Sequence, residues 1–506
     1  MAVLNFAALL LPLLALACKV GASVPTHGVS PRNDQPDAIT LAAGLDAERA
    51  NGTVRGPLHG IPIIVKDNVG TFDKMNSTAG SYALLGSKLP RDATIAAKLK
   101  AAGAIILGKA NLSQWANYRS TNSTNGWTSR GGQTSAAWYP LLDPSGSSSG
   151  SGVSSSIGLA AAAIGTETSG SIISPSNRNS LTGIKPSVGL TSRYNIVPIS
   201  QTQDTPGPMT RTMKDAAYIL SVIAGVDSYD NYTSAIPFSH IPDYAAGCTP
   251  HGLKGARIGI PRNAISTSAT NGPEIAAFNA SIAVLRRLGA IITDSADFPD
   301  LAGYRNFSGA GYSTDPVVGA DFVADIANYF NGLTYNPTNI HNINDLINFT
   351  MNYPAEDYPD RNVVTWQQDA NLTIKIGDSA YYTGLEAQYY YGSNASIKIA
   401  ILGALEQNGL DALIIPSSQS PGYASIAGYP IISVPLGYYP PTTNVTWNSR
   451  NTLVSLAPNM PFGLSFYSRR FDEATIIKFA YNLSLSCKSP LLNRKSIRSR
   501  RNVKLR

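Results

Sequence analysis

An α/β fold is what this sequence predicts, and three observations predict it. Residues 92–111 (DATIAAKLKAAGAIILGKAN) read as an amphipathic helix, a glycine turn and then the apolar strand Ala104–Leu107. The same alternation returns later, with a strand in Lys254–Pro261, a helix in Glu274–Leu288 and a strand in Ala290–Ile292. Four further short apolar runs, Ile61–Val65, Leu413–Pro416, Ile431–Pro435 and Phe462–Phe466, have the length and content of buried strands. At 506 residues the chain is long enough for one large domain or two or three ordinary ones, and no internal repeat divides it.

From the N-terminus, Met1–Ser23 reads as a secretory signal. The apolar run Phe6–Cys18 is followed by small residues, although no positive charge precedes it beyond the terminus itself. The expected product is secreted. Pro25–Asp37 is turn-rich and expected to be mobile, and Ala38–Ala50 has apolar positions at helical spacing. Ile61–Val65 carries Lys66 at its end. Gly103–Ala110 imitates a phosphate-binding loop but lacks the Ser or Thr after Lys109, and its middle is an apolar strand, so no phosphate site is expected. Trp115–Tyr139 is a polar, aromatic loop and Lys214–Ala224 is helical. Gly303–Asn394 is rich in Tyr and Asn with weak periodicity; Tyr381, Tyr382 and Tyr389–Tyr391 are candidates for the mouth of a site, or ordinary surface aromatics.

The net charge of +7 belongs to the tail. Arg494–Arg506 holds seven cations and no acid; without them the 39 Lys and Arg fall to 32, equal to the 32 Asp and Glu. The body is therefore no polyanion binder, and no nucleic-acid partner is expected. No segment is long and apolar enough to span a bilayer. The spacing of His and Cys builds no metal site, and no cofactor is expected. Twelve N-x-S/T sequons suit a glycosylated secreted protein, with Asn111 expected to stay unmodified. Removal of the signal takes Cys18 with it if the cut falls beyond that residue, leaving Cys248 and Cys487, whose pairing sequence alone does not decide. The expected division is a signal at 1–23, one domain at 24–490 and a basic tail at 491–506.

One stretch organises the rest: Pro144–Pro186, PSGSSSGSGVSSSIGLAAAAIGTETSGSIISPSNRNSLTGIKP. It is crowded with Gly and Ser yet is no linker, because Ile157–Ile164 (IGLAAAAI) is helical in composition and Ile172–Ile173 reads as buried. Two hydroxyl-rich turns flank that apolar element, Ser145–Ser151 and Thr166–Ser171. Such an arrangement can bring two hydroxyls together, and small residues let a carbonyl approach backbone N–H donors.

The stretch resembles the glycine- and serine-rich signature of the amidase signature family. It does so through Ser145–Ser151, through Gly165-Thr166-Glu167-Thr168-Ser169-Gly170-Ser171-Ile172 and through Gly183-Ile184-Lys185-Pro186. GPLHGIPIIVKDN at 56–68, the Gln203-Asp204-Thr205 and Gly207-Pro208-Met209 segments, AGYPIISVPLGY and PFGLSF extend the likeness from about residue 36 to about residue 484. The resemblance implies an α/β/α sandwich around a large mixed sheet and an amide hydrolase acting on a small-molecule or peptide amide. It also implies a Ser–cis-Ser–Lys triad: Ser171 as nucleophile, Ser147 after a cis peptide bond as proton relay, and Lys66 as base. Backbone N–H groups around Thr168, Ser169, Gly170 and Ser171 would form the oxyanion site. To serve as base, Lys66 needs a depressed pKa from burial, and Asp67 beside it would point the other way.

Two positions depart from the family pattern. Ser169 stands where Gly or Asp is expected, and Ile173 where Arg is common. Members also carry several tens of residues of helix before Ala38 that are missing here. A catalytically inactive binding or surface protein is therefore the reading from another class. A third reading takes Gly146-Ser147-Ser148-Ser149-Gly150 as G-x-S-x-G, with Ser148 the nucleophile of an α/β-hydrolase; no His follows His341 to complete it.

Overall fold

The computed structural model describes residues 29–34, 37–302, 316–393 and 400–486, with side chains unspecified for 29–34 and 389–393. The expected signal, the basic tail, Cys487, Asn306 and Asn394 lie outside the described residues.

A mixed sheet of 11 strands forms the centre. In chain order the strands are β1 (Val29–Asp34), β2 (Pro62–Lys66), β3 (Ile105–Ala110), β4 (Ala162–Glu167), β5 (Thr182–Lys185) and β6 (Thr205–Thr210). They continue as β7 (Arg257–Ile260), β8 (Ile291–Asp294), β9 (Ala412–Pro416), β10 (Ile431–Tyr438) and β11 (Pro461–Tyr467). Their spatial order is β1-β3-β2-β4-β6-β5-β10-β11-β9-β7-β8. Parallel pairing joins β3, β2 and β4 on one side and β9, β7 and β8 on the other, with antiparallel pairing between. Every sequence-derived strand is present within a few residues.

Side chains alternate between two apolar layers, as a strand's period of two requires. Ile63 and Val65 join one core with the helices α2 (Thr94–Ala101), α5 (Met213–Ile223), α6 (Gly272–Arg287) and α13 (Glu473–Ser486), while Ile64 faces the other way. Ile414 and Ile432 share the first core; Leu413, Ile415 and Ile431 pack instead with α4 (Ile173–Arg178), α11 (Ala400–Gln407) and α12 (Pro421–Ala427). The result is the expected α/β/α sandwich in one domain. No helix among the described residues is long and apolar enough to cross a membrane.

Two expectations are corrected. Val29–Asp34 is not loose chain but the edge strand β1, antiparallel to β3. The helix expected at Ile157–Ile164 lies earlier, as α3 (Ser149–Ile157), and the alanine run turns into β4. The polar composition of α3 reflects a close fit: a Cβ on Gly152 would meet Asn179 Nδ2 at 2.9 Å and Pro175 O at 3.3 Å. Small residues let this helix sit against both α4 and the sheet. Among its described residues the weakly periodic region holds α7 (Pro316–Asn331), α8 (Ile343–Asn352), α9 (Val364–Ala370) and α10 (Ser379–Ser393); α1 is the expected Ala38–Ala50.

Candidate active site

Two adjacent strand ends and a turn build the site. Lys66 is the last residue of β2, Thr166 lies near the end of β4, and the turn before α3 carries Ser147. The Gly146–Ser147 peptide bond is cis, and Ser147 C=O accepts the Ser113 N–H at 2.9 Å. Lys66 Nζ lies 2.8 Å from Ser147 Oγ and 3.0 Å from both Thr166 O and Thr166 Oγ1. Asn68 Nδ2 donates to the same Thr166 hydroxyl at 3.0 Å. Lys66 and Ser147 are fully buried, and burial drives the lysine pKa down to about 7 against the opposing fields of Asp204 and Glu167. A lysine so placed is partly neutral near pH 7 and can accept a proton. Asp67 points elsewhere, accepting the Thr78 hydroxyl and the Gly80 N–H.

Ser171 sits in the turn from β4 to α4 and is 8% exposed, against 0% for Lys66 and Ser147. Of the three it is the least buried. Its C=O accepts the Ser148 N–H at 3.1 Å, which ties the two serine turns together. Ser171 Oγ makes no hydrogen bond among the described residues, so the arrangement joins Lys66 to Ser147 and leaves the Ser171 hydroxyl unengaged.

Sequence reasoning missed what shapes that turn. One oxygen of the Glu167 carboxylate accepts the N–H groups of Ile172 at 2.7 Å and Ile173 at 2.9 Å. Gly170, with φ of +77°, makes this bend where an added Cβ would meet Ser174 Oγ at 2.9 Å. The N–H groups of Thr168, Ser169, Gly170 and Ser171 make no main-chain hydrogen bond among the described residues. Thr168 Oγ1 donates to Asp204 Oδ1 at 2.5 Å, and Asp204 in turn takes the Ile199 and Ser200 N–H groups at 2.7 and 3.1 Å. A signal for both acids was present, since each lies inside a segment that carried the resemblance.

Ser148 is not available as a nucleophile. It is fully buried, donating to Thr166 O at 3.1 Å and accepting the Thr166 N–H at 3.2 Å, so its hydroxyl fastens α3 to β4. Lys109 stays inside the protein, donating to Val69 O and to Ser77 Oγ at 2.9 Å. Tyr381 is buried with its hydroxyl on Asp321 at 2.7 Å, Tyr382 is exposed, and the side chains of Tyr389–Tyr391 lie outside the described set.

A buried lysine at the end of a strand, bonded to a serine after a cis bond and set beside a glycine-bent serine turn, is an arrangement suited to acyl transfer. The amidase family model matches residues 22–477. The chain belongs to the amidase signature family. It is an amide hydrolase, similar to a protein of Arthroderma benhamiae whose name places it among the amidases. That relative is 46% identical over 88% of this chain and 74% of its own. The fold is similar to that of native peptide amidase from Stenotrophomonas maltophilia, with a TM-score of 0.82 and 33% identity over 96% of this chain and 94% of that one. A glutamyl-tRNA(Gln) amidotransferase component from Chloroflexus aurantiacus is 30% identical over 92% of this chain and 90% of its own.

Proposed function

We propose that the protein is a secreted amidase that cleaves a carboxamide C–N bond through an acyl-enzyme on Ser171. The observation that carries this reading is the 2.8 Å contact between Ser147 and a lysine whose pKa burial lowers to about 7. Neutral Lys66 takes the Ser147 proton as Ser147 takes that of Ser171, and Ser171 Oγ bonds to the carbonyl carbon. The N–H groups of Thr168, Ser169, Gly170 and Ser171 receive the negative charge on the carbonyl oxygen. The proton then returns from Lys66 through Ser147 to the leaving nitrogen, the C–N bond breaks, and ammonia or an amine departs. Water attacks the ester by the same proton path and frees the acid. Ser171, the least buried of the three, is the one that reaches substrate.

Similarity to a peptide amidase supports small amides and peptide C-terminal amides as the substrate class. Ammonia release from a panel of both, with Ser171→Ala and Lys66→Ala beside the wild type, tests the reading. Activity in the wild type that is lost in both variants supports it; a Ser171→Ala variant with full activity refutes it. The expected signal at 1–23 supports secretion, and N-terminal sequencing of protein recovered from culture medium tests that part.

A further inference from the structure

A cavity of about 410 Å³ has Thr166 and Thr168 in its wall, so it adjoins both the lysine and the serine turn. Asp204, Asp230 and Asp325 line it together with one guanidinium, that of Arg193. That guanidinium is already committed, with Nη2 and Nε donating to Asp230 at 2.6 and 2.8 Å and its charge 4.3 Å from the centre of the Tyr232 ring. Asp204 and Asp325 make no ion pair among the described residues. Behind Asp325 stands Asp321, bonded to neutral groups that include the hydroxyls of Ser200, Thr202 and Tyr381. The wall therefore gathers more negative charge than its cation offsets. Burial and the neighbouring Asp321 and Asp204 accordingly push the Asp325 carboxyl up to about 7.

A second observation comes from Asn68, which also lines the cavity and is 3% exposed. Its Nδ2 is bonded to Thr166 Oγ1, but its Oδ1 has no hydrogen-bond partner among the described residues. A buried acceptor without a donor is costly, and a ligand N–H removes that cost. Among the described residues no three of His, Cys, Asp and Glu are grouped to hold a metal ion. An organic cation with several N–H donors fits this wall better.

We propose that the cavity takes a protonated amine carried by the substrate, with Asp325 as counter-charge and Asp204 and Asn68 completing the acceptor wall. The inference rests on the reading of Ser171 as the acylated residue, which sets the carbonyl beside Thr168 at the cavity's edge. Asp325 lies on α7, in the region whose sequence least resembles the family, so the preference belongs to this chain's own substrate range. Amides bearing a cationic side chain are then selected over neutral amides of the same shape.

Titration calorimetry at about pH 8, where Asp325 is ionised, compares N-acetyl-lysinamide with N-acetyl-norleucinamide on the Ser171→Ala protein. The lysine amide is expected to bind about tenfold tighter, and Asp325→Asn in the same background to abolish the difference. Equal affinity for the two amides overturns the proposal, as does a preference that survives Asp325→Asn. The first comparison needs no change at Asp325, so a poorly folded variant does not protect the idea. Wild-type ammonia release from the same pair separates the two readings: selective binding without turnover refutes the acyl-enzyme and leaves the cation site standing.

Discussion

Lys66 and Ser147, 81 positions apart in sequence, meet at 2.8 Å in a space closed to solvent. Both belong to segments that sequence alone picks out, but their meeting depends on β2 and β4 lying side by side in register, Ile63 opposite Ala162 and Val65 opposite Ile164. Thr166, two residues beyond Ile164, then falls beside Lys66, and the turn before α3 lays Ser147 over both.

The first prediction concerns pH. Lys66 must be neutral to accept a proton, and burial holds its pKa near 7, below the ordinary lysine range. The rate kcat/KM should therefore rise with pH through a limb centred near 7 and level off above it. The sign for stability agrees: between about 7 and the ordinary lysine value the unfolded chain binds the extra proton, so stability gains from rising pH. A pH–rate profile measures the limb, and one flat between about 6 and 8 contradicts it.

Thr166 should orient the base. A neutral amine has two N–H groups, and Thr166 O and Thr166 Oγ1 accept both at 3.0 Å, which leaves the nitrogen lone pair directed at Ser147. Thr166→Val keeps the shape and removes one acceptor, so kcat should fall by about tenfold or more with little change in KM. The limb of the pH profile should move down, because the charged amine loses a partner. Thr166→Ser should restore both. Steady-state kinetics over pH distinguishes this role from a purely structural one.

Glu167 should hold the serine turn in shape. Its carboxylate takes the Ile172 and Ile173 N–H groups in a buried position. Glu167→Gln trades charge-assisted acceptance for an amide with one acceptor oxygen, and should cost about 1–3 kcal/mol of stability. Urea unfolding measures the loss. A variant as stable as the wild type would show that the turn keeps its form without the carboxylate.

Glycans should follow exposure if the chain is secreted. Asn51, Asn348, Asn371 and Asn444 are exposed and should be modified. Asn111 and Asn482 are buried: Asn111 donates to Gly126 O, Gly132 O and Thr134 Oγ1, and Asn482 bonds to Thr249 O and to the Gly252 N–H. Mass spectrometry of glycopeptides from secreted protein gives the occupancy, and a glycan on Asn111 would contradict the packing.

Strands were legible because their apolar runs are short and bounded, and Lys66, Ser147 and Ser171 because they stand in segments that resemble the family. Position within the central stretch was not legible. The alanine run at 160–163 looks helical, yet Ala162 and Ala163 begin β4, because small side chains there let α3 approach the sheet. The polar SGSGVSSSI sequence forms that helix with all but Ile157 buried, which hydrophobic periodicity does not register. The hold of Thr166 on Lys66, of Glu167 on the turn and of Asp204 on Thr168 spans distant segments or a tight bend, and residue type alone does not reveal such contacts. The helices from α7 to α10 were obscured by scattered Tyr and Asn whose spacing follows local contacts, as with Tyr381 on Asp321.

The most direct measurement is reaction of the purified protein with a fluorophosphonate, followed by peptide mapping. The expected result is a single adduct on Ser171, absent from Ser171→Ala and much slowed in Lys66→Ala. A well-folded protein that takes no label, or takes it on Ser147, Ser148 or another serine, contradicts the assignment of Ser171 as the acylated residue.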